Sequence, residues 1–127
     1  MHETAGKPRV LIADDERVIA DSLATILTHG GFEARAAYSS SQAMEFALSF
    51  RPELLISDVI LDDMSGIQAA VRMKALLPDL HVFLISGQTA TEEMLAKEKA
   101  DGFGFEVLTK PVHPRDLLSR LRECMAA

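Results

Sequence analysis

The sequence is short of cysteine and of positive charge, and it contains no long apolar run. The single cysteine, Cys124, excludes an internal disulfide and fits a reducing compartment. The 13 Lys and Arg residues stand against 19 Asp and Glu residues, which gives a net charge of −6. Because binding to nucleic acid needs clustered positive side chains that neutralise phosphates, this balance argues against a nucleic-acid partner.

Segments that would direct the chain to a membrane are also missing. No apolar stretch approaches the roughly 20 residues that cross a bilayer, and residues 1–7 lack the apolar core of a signal peptide. We therefore expect a cytoplasmic protein with no membrane partner and with a flexible N-terminal tail at residues 1–7. The composition, 48% hydrophobic and 25% charged, suits one globular domain, which we place at residues 8–127.

Five short apolar runs are predicted to be strands. They lie at residues 9–13, 32–37, 53–59, 81–85 and 105–109. A short run without polar alternation is typical of a strand that is buried on both faces, as in a parallel sheet. The run at residues 32–37 is the weakest, so we expect it at an edge of the sheet.

Helical spacing follows each of these runs. A capping box, in which Ser or Thr is followed three residues later by Gln or Glu, opens helices at Ser39, Ser65 and Thr89. The helix after Thr89 is predicted to reach about Ala100, and Pro114 opens the last helix. The side chains expected to face inward are Ile19, Leu23, Ile26 and Leu27 in the first helix, Ala43, Met44, Ala47 and Leu48 in the second, Ile67, Ala70 and Val71 with Met73 or Leu77 in the third, and Leu117, Leu118 and Leu121 in the last.

Strands that alternate strictly with helices indicate an α/β fold. The crossover between two parallel strands is commonly a helix, and successive helices cover both faces of the sheet. The sequence therefore predicts a five-stranded, doubly wound parallel sheet.

Polar side chains are concentrated where the predicted strands end. Asp14 and Asp15 follow the first strand, Asp58 ends the third, Ser86 follows the fourth, and Lys110 follows the fifth. Because parallel strands all point the same way, these side chains should converge on one edge of the sheet. Ligands of open α/β sheets bind in the crevice beyond that edge, and we interpret Asp58 as its chemical centre.

Carboxylates packed in one crevice repel each other, and a divalent cation relieves that repulsion. Mg²⁺ suits such a site because it takes few protein carboxylates and leaves its other positions to water and phosphate oxygens. A lysine and a hydroxyl opposite the cation would hold the remaining oxygens of a phosphoryl group. The residue types therefore indicate a magnesium-dependent phosphoryl site.

These residues make the sequence resemble the receiver domain of bacterial two-component response regulators over residues 8–125. The matching fragments are the acidic pair Asp14-Asp15, ISDVILDDMSG around Asp58, LISG at Ser86 and LTKP at Lys110. Each fragment alone is a weak signal, but the four in register on alternating strands and helices are specific. The resemblance implies a flavodoxin-like fold with the strand order 2-1-3-4-5.

The resemblance also implies a set of ligands and a reaction. Asp58 would accept a phosphoryl group from the phosphohistidine of a sensor histidine kinase or a phosphotransfer protein. Asp15 and Asp58 would bind Mg²⁺ directly, and Asp14 would bind it mainly through water. The carbonyl of Ile60 would complete the protein ligands.

Lys110 and Ser86 would then act on the phosphoryl group. The resemblance implies that Lys110 pairs with one phosphoryl oxygen, that Ser86 moves to bond another, and that the peptide bond before Pro111 is cis. Phosphorylation would change binding to an unidentified downstream protein. The domain would be no enzyme beyond catalysing its own phosphorylation and dephosphorylation.

Three features depart from the family pattern. Asp62 replaces the usual proline four residues after Asp58, and the simplest interpretation of Asp62 and Asp63 is a solvated acidic loop. Val107 replaces the usual Tyr or Phe three residues before Lys110, so we do not expect a switch that turns an aromatic ring inward. The residues after the fifth strand are too few for a DNA-binding or catalytic module, which predicts a single-domain protein.

Other interpretations of the first acidic pair remain open at this point. Asp14 and Asp15 could cap the first helix. An aspartyl-phosphate phosphohydrolase would carry its nucleophile at the end of the first strand with a second Asp two residues on, whereas Asp14 is followed by Asp15 and Glu16. A flavodoxin-like electron carrier would need a phosphate loop rich in hydroxyls and glycine after that strand, and this acidic sequence has the wrong charge for one.

Overall fold

The computed structural model describes residues 6–61, 63–87 and 102–126, in which strands and helices alternate. The strands are β1 Arg9–Ala13, β2 Glu33–Ala37, β3 Leu54–Asp58, β4 His81–Ser86 and β5 Glu106–Thr109. The helices are α1 Arg17–His29, α2 Ser40–Ser49, α3 Gly66–Leu76 and α4 Pro114–Ala126. The capping box predicted at Thr89 and the helix predicted to follow it lie outside the described residues.

The five strands form one parallel sheet with the order β2-β1-β3-β4-β5. This order confirms the predicted doubly wound, flavodoxin-like fold, and it places β2 at an edge as expected. All five residues of the central strand β3 are buried, which agrees with an apolar run that lacks alternation.

Each strand supplies side chains to two separate cores, one on each face of the sheet. In β1, Leu11 and Ala13 belong to the core that α2 and α3 cover, whereas Val10 and Ile12 belong to the core that α1 and α4 cover. The other inner strands alternate in the same way, since successive side chains point to opposite faces. None of the described helices is both long enough and apolar enough to cross a membrane.

The predicted inward faces are largely correct, with one error in α2. Leu48 was expected to face inward, but it is 64% exposed. The apolar stripe of α2 instead follows Ala43 and Ala47, which are buried, and Phe46, which packs against the same core. The next turn of that stripe falls on Phe50, so Leu48 lies on the outer side of the helix.

Side chains cap α2 and α3 close to where the sequence indicates. Ser39 Oγ accepts a hydrogen bond from Gln42 N at 3.1 Å, and Gln42 Oε1 accepts one from Tyr38 N at 2.7 Å, one residue earlier than in a standard capping box. At α3, Ser65 Oγ accepts from Ile67 N at 3.2 Å. These bonds satisfy N–H groups that have no partner inside the helix.

Gly66, the first residue of α3, allows this helix to approach the end of β3. A Cβ atom at this position would lie 1.8 Å from the carbonyl oxygen of Asp58 and 2.9 Å from Ser57 Oγ. Both contacts are shorter than atoms tolerate, and the first involves backbone. A side chain at residue 66 would therefore push α3 away from the strand end that carries Asp58.

We expect Gly66→Ala to cost at least ~2 kcal/mol of folding free energy, because overpacking against backbone cannot be relieved by a rotamer change. Gly30→Ala is the matched control, since its Cβ would meet only the end of the Leu118 side chain closely, at 2.5 Å from Cδ2. Urea unfolding of both variants measures the difference. Equal losses in the two variants would contradict this account of Gly66.

Candidate functional site

The polar side chains singled out in the sequence lie at the carboxyl edge of the sheet. Asp58 is the last residue of β3 and is aligned with Ile85 of β4, one residue before Ser86. Ser86 is aligned with the last residue of β5, and Lys110 follows directly. Asp14 directly follows β1. Neighbouring parallel strands thus deliver these residues to one place, as the sequence predicts.

Asp14, Asp15 and Asp58 form a carboxylate cluster. Each contributes one oxygen, and these oxygens lie within 4.8 Å of one another. Asp14 and Asp58 are 2% and 9% exposed, so the cluster is largely shielded from water. A compact set of carboxylate oxygens fits a hard divalent cation such as Mg²⁺.

Asp14 is the most deeply buried member of the cluster. Its Oδ1 accepts a hydrogen bond from Glu16 N at 2.9 Å. Burial raises the pKa of Asp14 above its ordinary value, and the neighbouring charge of Asp58 adds to this effect. The hydrogen bond from Glu16 and the charge of Lys110 act in the opposite direction without cancelling it. The fold therefore disfavours a negative charge on Asp14 unless a cation lies beside it.

Asp58 is held on both of its carboxylate oxygens. Lys110 Nζ donates to Oδ2 at 2.9 Å, and Ile60 N donates to Oδ1 at 3.3 Å. The two charged side chains are 12% and 25% exposed, so their ion pair is largely protected from water. Because Lys110 and Asp58 lie 52 residues apart in the sequence, only the folded sheet brings them together.

The ammonium group of Lys110 stays charged at this position. Burial alone would lower the pKa of Lys110, but the hydrogen bond and the charge of Asp58 outweigh burial, so the pKa is raised. The peptide bond between Lys110 and Pro111 is cis, which confirms the prediction.

Ser86 is fully buried at the end of β4. Its hydroxyl donates to the carbonyl of Gly87 at 3.5 Å, which is longer than the roughly 2.5–3.0 Å usual for a bond between two oxygens. Its own carbonyl accepts a shorter bond, 3.1 Å, from Lys110 N. The Ser86 backbone is therefore linked to the residue that pairs with Asp58, while its hydroxyl is only weakly bound.

Ile60 lies in the loop that follows β3. Its side chain is 59% exposed, and the residue forms an isolated antiparallel bridge with Ser65. Since its N–H bonds Asp58, the peptide group of Ile60 lies directly beside the carboxylate cluster. A backbone group at this position needs no particular side chain, so only the family resemblance pointed to it.

The structure does not support helix capping as the reason for the first acidic pair. Helix α1 begins at Arg17, and its N-cap residue is Glu16, whose side chain makes no capping hydrogen bond. Neither Asp14 nor Asp15 occupies the capping position, and the bond from Glu16 N to Asp14 lies in the loop before the helix.

Asp63 is exposed, as predicted for a solvated loop, but its carboxylate also binds the first turn of α2. Its Oδ1 accepts from Ser40 N at 2.9 Å, and its Oδ2 accepts from Ser41 N at 3.0 Å. These backbone bonds lower the pKa of Asp63. Sequence reasoning missed this contact because Asp63 and the helix it caps are separated by more than 20 residues. Asp62, the other member of the acidic pair, lies outside the described residues.

Val107 occupies the position at which the family usually has an aromatic ring. It is half-buried and packs against the core between the sheet and α2 and α3. The nearest rings in the sequence are Phe103 and Phe105, which stack on each other with centroids 5.5 Å apart. Phe105 is buried, whereas Phe103 is 53% exposed.

Comparison with known proteins agrees with the geometry of this edge. A family model for the response regulator receiver domain matches residues 10–122. The chain is 32% identical over 123 residues to a probable transcriptional regulatory protein of Mycobacterium tuberculosis, TcrX, with 96% of this chain and 52% of the relative covered. It is 27% identical over 114 residues to the response regulator MprA of Mycobacterium ulcerans, with 90% and 48% covered. The chain thus spans about half the length of the curated relatives it matches.

Solved structures share the whole fold. A CheY-like receiver domain protein from Methanospirillum hungatei has a TM-score of 0.87 at 26% identity, with 95% of each chain covered. A putative response regulator from Chloroflexus aurantiacus has a TM-score of 0.81 at 28% identity, with 95% of this chain and 100% of that chain covered.

The family match extends over the sheet, its carboxyl edge and α4. The chain belongs to the response regulator receiver domain family of two-component signalling, whose general function is that of a phosphoacceptor switch.

Proposed function

We propose that Asp58 is the phosphoryl acceptor of this receiver domain. The observation that carries the proposal is the environment of this one carboxylate. Asp58 ends the central buried strand, lies beside two further carboxylates, and is paired with Lys110 at 2.9 Å. A nucleophile, a cation site and a fixed positive charge are thus within reach of one phosphoryl group.

The donor is the phosphohistidine of a sensor histidine kinase or a phosphotransfer protein. One oxygen of the ionised Asp58 forms a bond to phosphorus while the bond between phosphorus and the imidazole nitrogen breaks. The imidazole nitrogen keeps the electron pair of the broken bond, and the product is an aspartyl phosphate. An ionised carboxylate has no proton to lose when it attacks, so this step needs no general base.

Asp14, Asp15, Asp58 and the carbonyl of Ile60 would hold Mg²⁺ at this edge, with Asp14 acting mainly through water. When bound, Mg²⁺ neutralises negative charge on the carboxylates and on the transferred phosphoryl group. Burial of Asp14 supports this assignment, because a buried carboxylate beside a second one is stabilised by a nearby cation.

Lys110 and Ser86 act on the phosphoryl oxygens after transfer. Phosphorylation converts the carboxylate of Asp58 into an acyl phosphate and removes its charge, so the ammonium of Lys110 takes a phosphoryl oxygen as its new partner. The hydroxyl of Ser86 exchanges its 3.5 Å contact with Gly87 for a shorter bond to a second oxygen. Movement of Ser86 thus couples phosphorylation to the loop after β4.

A groove beside the cluster supports a protein as the phosphoryl donor. This cavity of about 270 Å³ has apolar walls that include Ile19, Leu23 and Pro111, and Asp14 and Lys110 also line it. An apolar surface next to the reactive groups suits the docking of another protein's side chains. We propose a downstream protein as the partner of the phosphorylated form, with neither a nucleic acid nor a membrane as a partner.

We further propose that the domain comprises residues 8–127 after an N-terminal tail at residues 1–7, and that it works in the cytoplasm. Its chemistry is limited to its own phosphorylation and dephosphorylation. Because Val107 replaces the usual ring, we expect the switch to work through the loops after β3 and β4 rather than through a rotating aromatic side chain.

Asp58→Asn should abolish phosphorylation, because the amide is a poor nucleophile while its shape is nearly unchanged. The protein is incubated with acetyl phosphate and Mg²⁺, and intact mass is then measured. Wild type should gain one phosphoryl group and the variant none. Asp79→Asn, at an exposed site in the turn between α3 and β4, is the control and should behave as wild type. Phosphorylation of Asp58→Asn at the wild-type rate would contradict the proposal.

Asp14→Asn should stabilise the metal-free protein at neutral pH. Because the pKa of Asp14 is higher in the folded protein than in the unfolded protein, protonation of this side chain stabilises the fold. This stabilisation is complete below the unfolded pKa of 3.8 and is lost as pH rises through the folded pKa. The amide keeps an acceptor for Glu16 N but carries no charge. With chelator at pH 7, we expect the unfolding midpoint to rise by roughly 2–5 °C, and the gain should shrink toward pH 3.8.

Millimolar Mg²⁺ should stabilise wild type by mass action and should stabilise Asp14→Asn less. Thermal unfolding of wild type and of Asp14→Asn, with chelator and with Mg²⁺, at pH 7 and near pH 3.8, measures these differences. A wild-type midpoint that does not respond to Mg²⁺, together with a variant less stable than wild type in chelator, would contradict a shared carboxylate site.

A further inference from the structure

The side chain of Asp63 connects two elements that are distant in sequence. It belongs to the loop between β3 and α3, yet its carboxylate binds the first turn of α2. The bonds run from Ser40 N at 2.9 Å and from Ser41 N and Ser41 Oγ, both at 3.0 Å. Ser40 Oγ also donates to the carbonyl of Met64 at 3.4 Å, so two successive loop residues are attached to α2.

The base of the same loop is closed by backbone contacts. Gly66 N donates to the carbonyl of Val59 at 2.8 Å, and Ile60 forms an isolated bridge with Ser65. These contacts close the base of the loop, and Val59 N attaches it to the sheet by donating to the carbonyl of Ile85 at 3.0 Å. Asp63 attaches a second part of the loop to α2. Residues 59–65 contain no proline, so no covalent restraint supplements these bonds.

Helix α2 is a rigid anchor that does not depend on Asp63 alone. Ala43 and Ala47 are 1% and 0% exposed against the core. The helix also has its own cap, since Ser39 Oγ accepts from Gln42 N at 3.1 Å. Asp63 satisfies two other N–H groups of the same turn, and a carboxylate is favoured there by the helix dipole. The same contacts therefore restrain the loop as well as capping the helix.

Within this loop, Ile60 is the residue whose backbone lies next to Asp58. Its N–H donates to Asp58 Oδ1 at 3.3 Å, close to the upper limit for such a bond, so a small shift of the loop breaks it. The carbonyl of Ile60 belongs to the cation site under the proposed function. The N–H and the carbonyl of Ile60 lie on either side of its Cα, so a displacement of this residue alters a hydrogen-bond partner of Asp58 and a metal ligand together.

We propose that Asp63 is a positioning residue of the acceptor site. By binding the first turn of α2 it holds the loop after β3 so that the Ile60 peptide faces Asp58. The effect on Mg²⁺ and on phosphorylation rests on the proposed function, whereas the effect on the Ile60 N–H does not. By linkage, filling the site should in turn order the first turn of α2.

The first test uses the metal-free protein and does not depend on the proposed function. Hydrogen exchange at the Ile60 amide is measured in chelator for wild type, Asp63→Ala, Asp63→Asn and Ser39→Ala. Ser39→Ala is the matched control, because it removes a cap from the same turn of α2 and leaves the loop attachment in place. Both Asp63 variants should exchange faster than wild type at Ile60, and Ser39→Ala should not. An unchanged Ile60 amide in both Asp63 variants would overturn the proposal.

The second test measures Mg²⁺ affinity by calorimetry in the same variants. Loss of a group that orients a metal ligand typically weakens binding by about 10–100-fold, and we expect the lower part of that range for Asp63→Ala. Asp63→Asn retains an acceptor oxygen and should lie between Asp63→Ala and wild type. Ser39→Ala should bind Mg²⁺ as wild type does, although its unfolding midpoint falls. A loss of affinity in Ser39→Ala equal to that in Asp63→Ala would overturn the positioning role.

These outcomes separate the two proposals. Phosphorylation of Asp58→Asn, or a wild type that binds no Mg²⁺, would contradict the proposed function but would leave the result at the Ile60 amide unaffected. If wild type is phosphorylated and the Asp63 variants match it in Mg²⁺ affinity and in Ile60 exchange, only the inference about Asp63 is contradicted.

Discussion

The ion pair between Lys110 and Asp58 is the contact on which the carboxyl edge of the sheet depends. Opposite unit charges ~4 Å apart attract by about 4 kcal/mol at an effective dielectric of ~20, before the cost of desolvation. The observed N–O distance is 2.9 Å, and water reaches little of either side chain. Because β4 lies between β3 and β5, the pair forms only when three adjacent strands are in register. The acceptor site is therefore a product of the whole sheet rather than of one loop.

Burial on both faces of the sheet gives this edge its rigidity. Alternate side chains of each inner strand enter two cores, so a strand end cannot shift without disturbing packing on both sides. Gly66 extends that constraint to α3, which starts in contact with the backbone of Asp58. The flexibility needed for a response to phosphorylation is accordingly left to the end of β4, where Ser86 makes a long hydrogen bond of 3.5 Å, and to the loop after β3, where Ile60 makes one of 3.3 Å.

Most of the fold and the convergence of the site could be predicted because both follow from local pattern. An apolar run predicts a buried strand, and the carboxylates that follow it mark the strand end, which is why the sequence points to Asp14 and Asp58. Contacts between elements that are distant in the chain produce no such local pattern in the sequence. The N–H groups of the first turn of α2 can donate to any suitable oxygen, so the sequence could not show that Asp63 provides it. Leu48 was misplaced for a related reason, since the alanines that set the phase of α2 are weak hydrophobic signals.

The two buried carboxylates differ in how their charge is balanced, and this difference bears on how the domain switches. Asp58 is balanced within the chain by Lys110 on one oxygen and by the Ile60 N–H on the other, whereas the fold disfavours charge on Asp14. Under the proposed function, phosphorylation of Asp58 weakens both of these hydrogen bonds at once. One hydrogen bond joins Asp58 to Lys110 at the end of β5. The other joins it to Ile60 in the loop after β3, which Asp63 attaches to α2. Phosphorylation would then be transmitted in two directions by the partners of a single carboxylate, which is a route that needs no aromatic ring at Val107.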